Sequence, residues 1–295
     1  MTDHAGGAVL VTGATGNVGA GVARHLLSRG VRVVSAVRDA ADPGIVAGTE
    51  ARAFDFENPS GWADALAGVD RLFLLRPPPI ADVQKYLLPV IDTALQHGVR
   101  HIVLLSLQGV QFNRATPHHA VEKYLRSLKA PFTFLRPNFF MQNLSTTYAA
   151  EIRARGEIAV PAGHARTAFI DTDDIGRVAA RVLTESGHLG KAYTLSGEQS
   201  LNYNDVARIL TAELDHEVRY TRPTPDEYAE LLRQQGATQE YIDVQAMIYK
   251  VVRLNVSALP NRMVRRLTGA PATTFAEFAH RERAVWTPTA STPAA

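Results

Sequence analysis

The sequence contains no cysteine among its 295 residues. This absence excludes disulfide bonds, thiol nucleophiles, redox-active cysteine pairs and thiolate metal sites. No apolar run is long enough to form a membrane-spanning helix. The first four residues lack the basic and apolar regions of a signal peptide. We therefore expect a cytoplasmic protein that does not act at a membrane.

The chain also lacks a large charge of one sign, because 31 Lys and Arg residues stand against 29 Asp and Glu residues. This balance gives no electrostatic case for a nucleic-acid partner. The adjacent His118 and His119 have no further ligand at a metal-binding spacing, so no metal is expected. No G-x-S-x-G elbow of a hydrolase is present. We expect a small-molecule substrate and a monomer or homodimer.

A glycine-rich turn stands near the start of the chain. Residues 8–11 are an apolar run typical of a buried strand, and Val18, Val22 and Leu26 then recur at helical spacing. Strand, glycine turn and helix in this order begin a dinucleotide-binding unit. The alternative is a tight turn without a ligand. The residues of the turn predicted to bind the cofactor are Gly13, Thr15, Gly16, Asn17 and Val18.

The three glycines of the turn, Gly13, Gly16 and Gly19, have different expected tasks. Gly13 allows the tight turn, Gly16 lets the backbone approach a pyrophosphate, and Gly19 lets the helix pack close to the strand. The helix N-terminus then offers N–H groups and a positive dipole end to the phosphates.

Strand and helix patterns alternate through the first half of the chain. The predicted helices cover 62–66, 83–96 and 116–128, and the predicted strands after the first cover 32–37, 51–54, 71–75, 101–105 and 132–135. This alternation predicts an α/β fold, a Rossmann-type doubly wound parallel sheet. Ligands of such sheets bind at the carboxyl ends of the strands.

The rhythm changes in the second half, which we expect to form a smaller, mainly helical C-terminal lobe. Short strands are predicted at 168–170 and 192–195, and helices at 173–183, 202–214 and through most of 226–253. The predicted domains are a dinucleotide-binding domain at 1–144, to whose sheet residues 168–200 return, and a mainly substrate-binding lobe at 145–286. The Thr-, Pro- and Ala-rich segment 287–295 is predicted to be disordered.

Arg38 follows the second predicted strand, where an acidic residue usually binds the ribose of NAD. A guanidinium at this position suits a 2′-phosphate, so NADPH or NADP is the expected cofactor and NADH is less favoured. The alternative is a surface arginine paired with Asp39.

Other strand ends supply further candidates. Asp55 and Phe56 are predicted to contact the adenine, with a helix cap and a core phenylalanine as the alternative. Leu75 and Arg76 are predicted to line the cofactor groove, although a plain rigid loop is also possible. Ser106 follows the fifth strand and is expected to reach the nicotinamide side of the cleft.

Taken together, the chain resembles the NmrA-like group of atypical short-chain dehydrogenases/reductases. The segments that carry the resemblance, besides Arg38, are 12–19, 133–143, 169–175 and 267–275. The resemblance implies a Rossmann-type domain that binds NAD(P)H, usually NADPH, and a small C-terminal lobe that forms the substrate cleft. The group includes quinone, isoflavone-type and dye reductases, and members that sense the cofactor ratio without turnover.

The sequence departs from the Tyr-x-x-x-Lys pair that active short-chain reductases usually carry. Counting back from the turn at 130–133 places Arg114 at the Tyr position and His118 at the Lys position, while a shifted register would place His119 and Lys123 there instead. A guanidinium cannot serve as a general acid. His118 can bind the nicotinamide ribose or deliver a proton, so His118 and Ser106 are the catalytic candidates.

The alternative role of His118 is a helix-surface pair with Glu122, four residues further along the helix.

The missing acid constrains the substrate. Hydride transfer to an isolated ketone leaves a basic alkoxide that needs a proton donor, whereas a conjugated acceptor leaves a delocalised anion. Phe139 is assigned to the cofactor, and Phe140, Met141 and Tyr148 are assigned to the substrate, with core packing as the alternative for the first three. Tyr228 and Tyr249 are further possible contacts, which nothing in the sequence ranks.

The leading hypothesis is an NADPH-dependent reductase of a small conjugated carbonyl, quinone-like or dye-like acceptor. One alternative is an NADP(H)-binding redox sensor or regulatory protein without turnover. Another is a biosynthetic enzyme that retains its cofactor.

Overall fold

The computed structural model describes residues 7–214 and 216–287. The predictions for the first four residues and for residues 288–295 of the tail lie outside this part. The chain divides into two units. The sheet unit comprises Met1–Pro137, Thr172–Leu195 and Met263–Ala270, and the helical unit comprises Asn138–Asp171, Ser196–Arg262 and Pro271–Ala295. Strands and helices are numbered in chain order across both units.

Seven strands of the sheet unit form one sheet in the order β3-β2-β1-β4-β5-β6-β8, and each neighbouring pair is parallel. This order places β1 beside β4, where the direction of winding reverses and where α/β sheets bind ligands. The sheet confirms the predicted Rossmann-type fold. The strands are β1 Ala8–Thr12, β2 Val33–Val37, β3 Glu50–Ala53, β4 Val69–Leu75, β5 His101–Leu105, β6 Phe132–Pro137 and β8 Lys191–Leu195.

Helices connect these strands and cover the sheet. Leu10, Leu72 and Phe134 on one sheet face share a buried core with Trp62 and Leu125 from the helices. Each such side chain stabilises the fold by roughly 1.5–3 kcal/mol. The helices are α1 Asn17–Leu27, α2 Trp62–Leu66, α3 Val83–Tyr86, α4 Leu88–Gln96, α5 Pro117–Ser127, α8 Thr172–Thr184 and α12 Met263–Thr268, with short 3-10 helices at Pro59–Gly61 and Val110–Phe112.

The helical unit has its own apolar core. Trp286 is fully buried in it, and its indole N–H donates to the Leu144 carbonyl oxygen over 2.8 Å. Capping boxes at Asn202, Thr224 and Thr274 begin three of the helices. The elements are α6 Gln142–Ser145, α7 Ala149–Arg155, β7 Glu157–Ile158, α9 Tyr203–Glu213, β9 Arg219–Tyr220, α10 Pro225–Gln234, α11 Gln239–Arg253, α13 Phe275–Glu282 and a 3-10 helix at Arg283–Val285.

One predicted helix is divided in the structure, and the segment predicted to be mostly helical contains two helices. The segment 83–96 forms α3 and α4, because Pro89 has no N–H to donate to the carbonyl four residues before it. The segment 226–253 is interrupted between α10 and α11, where Gly236 adopts a φ of 78°. Glycine favours this left-handed conformation, which ends a helix.

The strand predicted at 168–170 is not formed. Its backbone hydrogen bonds go to separate partners, since the Ala168 N–H donates to Ser257 and the Ile170 N–H donates to Phe139. Only an isolated bridge joins Ile170 to Phe140. An apolar run therefore became a buried connection, because no single neighbouring strand runs alongside it.

Within the described ranges, no helix combines the length and the apolar character needed to cross a bilayer.

Candidate functional site

The glycine turn is fixed to the sheet by the last residue of β1. The Thr12 hydroxyl accepts a hydrogen bond from the Leu75 N–H over 2.8 Å and lies 3.2 Å from the carbonyl oxygens of Phe73 and Leu75. These contacts hold the end of β1 against the end of β4. The turn therefore leaves the sheet at the point where the strand order reverses.

The glycines of the turn are required for different reasons. Gly13 has a φ of 63°, and a Cβ on Gly19 would overlap the Gly13 carbonyl oxygen, so the fold itself requires glycine at both positions. Gly16 differs, because its φ of −88° suits any residue and its Cβ would lie at an ordinary 3.4 Å from the Gly13 oxygen. A ligand approaching the backbone gives a reason for glycine at this position.

The N-terminus of α1 is open to an anion. Gly16 is the N-cap and has no side chain to accept from the first N–H groups, and the first turn contains no acidic residue. Thr15, Gly16 and Asn17 are exposed, while Val18 packs into the core beneath them. Unpaired N–H groups and the positive end of the helix dipole together favour a phosphate.

Arg38 lies at the same edge of the sheet. Thr12 of β1 pairs with Ala36 of β2, and Arg38 follows two residues later with an exposed side chain. Asp39 accepts instead from the Ala41 N–H over 2.9 Å. In the described part of the chain no carboxylate pairs with Arg38, so its guanidinium can bind a ligand.

Asp55 and Phe56 follow β3, and both have structural contacts. The Asp55 carboxylate accepts a hydrogen bond from the Glu57 N–H over 2.9 Å. The backbone carbonyl oxygen of Asp55 accepts one from the Trp62 indole N–H over 2.6 Å. Phe56 is 6% exposed and packs edge-on against Phe54. Their predicted contact with adenine stays a prediction.

Leu75 and Arg76 begin the proline-rich loop after β4. Leu75 is half-buried beside Gly13. Arg76 donates from one guanidinium nitrogen to the carbonyl oxygens of Pro77, Pro78 and Ile80, over 3.0, 2.9 and 2.6 Å. Burial lowers the Arg76 pKa. The loop is therefore clamped by a side chain that also places positive charge inside the unit.

Ser106 belongs to a buried polar network behind β5 and β6. Its hydroxyl donates to the Glu122 carboxylate over 2.7 Å, and Arg136 donates to the same carboxylate over 2.9 and 2.5 Å. The hydrogen of the Ser106 hydroxyl is therefore held by Glu122, which leaves the oxygen lone pairs for a ligand.

Glu122 faces this network from the buried side of α5. The alternative of a surface pair between His118 and Glu122 is therefore wrong.

His118 lies in the first turn of α5, behind the N-cap Thr116. Its Nδ1 atom is buried and has no hydrogen-bond partner in the described ranges. Burial, with a contribution from the positive charge of Arg76, lowers the pKa of His118 to about 4. The imidazole is thus neutral at pH 7, with one nitrogen that donates and one that accepts.

The other residues considered for this helix differ in their surroundings. Arg114 and Lys123 are exposed. The His119 ring nitrogen Nδ1 lies 3.1 Å from the Val110 carbonyl oxygen. Among these side chains, His118 alone combines a buried ring nitrogen with an unmet hydrogen bond.

The remaining candidates belong to the helical unit. Asn138 accepts from the Phe139 N–H and donates to the Ser257 carbonyl oxygen, each over 2.8 Å. Phe139 and Phe140 are half-buried. Met141 is 2% exposed and lies in the core of this unit. The alternative of core packing therefore describes Met141 better than a substrate contact.

Tyr148 belongs to a cluster of four tyrosines that the sequence does not predict, although three of them are separate candidates for substrate contact. Its hydroxyl lies 2.6 Å from that of Tyr249, and the hydroxyls of Tyr228 and Tyr203 interact with this pair. Burial raises the pKa of all four phenols. They therefore stay protonated hydrogen-bonding groups.

Two features escaped sequence reasoning. Arg136 was noted only as part of a motif, although a charged residue within a buried strand signals a buried partner. Tyr203 was not singled out, and a lone tyrosine on an amphipathic helix carries no signal of a cluster.

The sheet unit thus gathers its predicted residues along one edge. Gly13, Arg38, Asp55, Arg76 and Ser106 follow five neighbouring strands at their carboxyl ends. Within the described ranges, no group of three His, Asp or Glu side chains could hold a metal ion.

Comparison with known proteins gives consistent matches over nearly the whole chain. The model of the NmrA-like family matches residues 6–277. An NAD(P)H azoreductase from Xenophilus azovorans is 32% identical over 286 residues, which cover 94% of this chain and 99% of that protein.

Two solved structures are similar to this chain. The triphenylmethane reductase of Citrobacter sp., complexed with NADP(H), has a TM-score of 0.82 and 25% identity, covering 93% of this chain and all of that one. An NADPH-dependent quinone oxidoreductase of Escherichia coli, complexed with NADPH, has a TM-score of 0.83 and 26% identity. The match covers 92% of this chain and 99% of that one.

Proposed function

This chain belongs to the NmrA-like family, and on that premise we propose that it is an NADPH-dependent reductase of a quinone-like, dye-like or other conjugated acceptor. The observation that carries the proposal is the unpaired Arg38 guanidinium at the edge that also holds the open glycine turn. Relatives described as azoreductase, triphenylmethane reductase and quinone oxidoreductase support the class of acceptor.

The residues of the sheet unit fit the phosphates of NADPH. The backbone N–H groups of Thr15, Asn17 and Val18 would bind the diphosphate at the start of α1. The Gly16 N–H instead donates to the Gly13 carbonyl oxygen over 3.0 Å, so Gly16 would contribute a close backbone approach. Arg38 would bind the 2′-phosphate by charge-assisted hydrogen bonds. No acidic side chain at the end of β2 competes for that guanidinium, since Asp39 accepts from a backbone N–H instead.

The other assigned residues have proposed places around the remainder of the cofactor. Asp55 and Phe56 would lie at the adenine, and Leu75 and Arg76 along the groove. We assign Ser106 and His118 to the nicotinamide side, and the assignment of Phe139 to the cofactor stays a prediction.

Bound NADPH supplies a hydride, and the residues of this chain decide which acceptors can use it. Glu122 holds the hydrogen of the Ser106 hydroxyl. The neutral His118 is then the only assigned catalytic residue with an unmet hydrogen bond. A neutral imidazole is a poor general acid, because its N–H is far less acidic than that of an imidazolium. A hydrogen bond from it is enough for an anion whose charge is delocalised, whereas reduction of an isolated ketone needs a stronger proton donor. Conjugated acceptors are therefore favoured over simple ketones.

A panel of acceptors tests this proposal through the loss of reduced-nicotinamide absorbance. We expect steady NADPH oxidation with some quinones, enones or dyes, slower oxidation with NADH, and none with isolated ketones. Calorimetry without acceptor serves as the binding control. If neither nucleotide gives heat, the cofactor assignment fails and the reductase proposal with it.

The second candidate is an NADP(H)-binding sensor without turnover. It is favoured by Arg114 and His118 at the positions of the usual Tyr and Lys, and by the hydrogen bond that occupies Ser106. Tight NADPH binding with no oxidation across the panel would support the sensor. The predictions of a cytoplasmic location and of a monomer or homodimer accompany both candidates.

A further inference from the structure

A cavity of about 500 Å³ lies within the helical unit, with walls from α10 and α11. Tyr228, Leu232, Ile242 and Tyr249 supply much of its lining. Ligand pockets typically measure about 300–1,000 Å³. The cavity is therefore large enough for a molecule with two or three aromatic rings.

The aromatic part of the wall is rigid. The rings of Tyr228 and Tyr249 are 5.7 Å apart and nearly perpendicular. The Tyr249 hydroxyl is held 2.6 Å from that of Tyr148. Both wall tyrosines are at most 4% exposed, so their positions are fixed by packing. Because so little of either residue is exposed, the tyrosines form a rigid aromatic floor that offers a ligand only a limited ring area, which suits an edge-on aromatic contact.

Two cations line the same cavity. Lys250 and Arg253 stand three residues apart on α11, and both are exposed. Neither forms an ion pair within the described part of the chain. By contrast, Arg233 on α10 pairs with Glu230 over 3.0 Å. No carboxylate belongs to the lining. Neighbouring like charges repel, and an anion bound beside them would offset this repulsion.

We propose that this cavity binds a planar aromatic molecule that carries an anionic group. Its rings contact Tyr228 and Tyr249, and Lys250 and Arg253 attract its charge. The inference goes beyond the proposed reductase function, because binding here needs neither NADPH nor reduction.

Two fluorescent probes with the same ring system test the inference without any nucleotide. 1-Anilinonaphthalene-8-sulfonate is anionic, and N-phenyl-1-naphthylamine is its neutral counterpart. The anionic probe should bind the full chain more tightly than the neutral one. Replacing both cations, as Lys250→Gln with Arg253→Gln, should weaken the anionic probe about fivefold and leave the neutral probe unchanged.

The place of binding is tested by Ala246→Trp, which puts a large side chain into the lining of the cavity. We expect this variant to weaken both probes at least about tenfold. Met247→Gln is the matched control, since the neighbouring Met247 is 51% exposed and does not line the cavity. Arg153→Gln controls for a general loss of positive charge. Thermal melting of each variant checks that it is folded.

Three results would overturn the inference. The first is no saturable binding of the anionic probe. The second is equal affinity for the two probes in the unaltered chain. The third is a Met247→Gln effect as large as that of Ala246→Trp, which would place the probes on the exposed face of α11.

Discussion

The edge of the sheet unit and the cavity of the helical unit are built by different means. At the edge, each candidate follows its own strand, and the open turn consists of backbone N–H groups. The polar groups behind it are charged and paired, as in the Glu122–Arg136 network. The cavity instead uses neutral phenols from separate helices, with unpaired cations among its lining residues.

This difference shows how two kinds of binding surface are encoded. A backbone site depends on one short segment, whereas a side-chain cavity depends on residues as distant in the sequence as Pro161 and Leu254. The two tryptophans allow the units to be compared directly, because Trp62 lies in the sheet unit and Trp286 in the helical unit. In a Trp286→Phe background the fluorescence of Trp62 reports the unfolding of the sheet unit. In a Trp62→Phe background the fluorescence of Trp286 reports the unfolding of the helical unit.

Glu122→Ala should produce the largest effect. It leaves the Arg136 guanidinium buried without its carboxylate, and we expect a loss of about 3–5 kcal/mol in unfolding free energy. Urea unfolding in the Trp286→Phe background measures it. The matched control is Glu230→Ala in the Trp62→Phe background, which reports the helical unit; it breaks the exposed pair with Arg233 and should cost less than about 1 kcal/mol. Equal losses would mean that the buried network stabilises the fold no more than an exposed ion pair does.

The second-largest effect is expected from acid, which should lower the unfolding free energy of the sheet unit. Burial chiefly, with the charges of His188 and Arg71, lowers the pKa of His101 to about 4 from an unfolded value near 6.5. The unfolded state therefore binds more protons between these values. Stability falls as pH drops from about 6.5 to about 4, by about 3 kcal/mol for this group, and the fall ends below pH 4.

His101→Gln should remove that part of the pH dependence. Unfolding at pH 7, 6 and 5, followed through Trp62 alone, measures the change. An unaltered slope in the variant would show that His101 is not the titrating group.

Two glycine variants separate ligand binding from folding at the turn. Gly16→Ala should weaken NADPH binding by about 100-fold with little change in melting temperature, because only the ligand approach is blocked. Gly19→Ala should instead lower stability by about 3 kcal/mol, since its Cβ overlaps the Gly13 carbonyl oxygen. Calorimetry and thermal melting of both variants test this. Normal NADPH affinity in Gly16→Ala would remove the turn from the cofactor site.

Arg38→Ala should weaken NADPH binding by about 10- to 100-fold and hardly affect NADH, because the lost hydrogen bonds reach only the 2′-phosphate. Titration with each nucleotide measures the two affinities. Arg32→Ala, just before β2 at the opposite end of that strand, is the control for general charge. Equal losses for both nucleotides would contradict the assignment.

Tyr249→Phe should give the smallest effect, a loss of about 1 kcal/mol in unfolding free energy from one hydroxyl pair. Urea unfolding followed through Trp286 in the Trp62→Phe background measures it. Tyr241→Phe is the matched control on the same helix, because its side chain is 39% exposed. A loss as large as that for Glu122→Ala would erase the contrast between the neutral and charged networks.

The alternation of strands and helices was readable from the sequence because apolar periodicity is a local property. The turn at Gly13 and the position of Arg38 followed from it, since each parallel strand delivers its next residues to the same edge. The break at Pro89 was also encoded locally but was masked by the apolar pattern around it. The segment 168–170 failed as a strand because pairing depends on a neighbour that the segment cannot specify.

The sequence alone determined the Rossmann-type sheet, the family resemblance and the edge at which a nucleotide is expected, because these depend on short-range pattern and backbone geometry. Only the tertiary structure decided that Ser106 gives its hydrogen to Glu122, that His118 has a buried unpaired nitrogen, and that four tyrosines meet beside a cavity. These outcomes depend on contacts between distant residues and on the loss of water around them. Desolvation of this kind has no counterpart in the linear order of the chain.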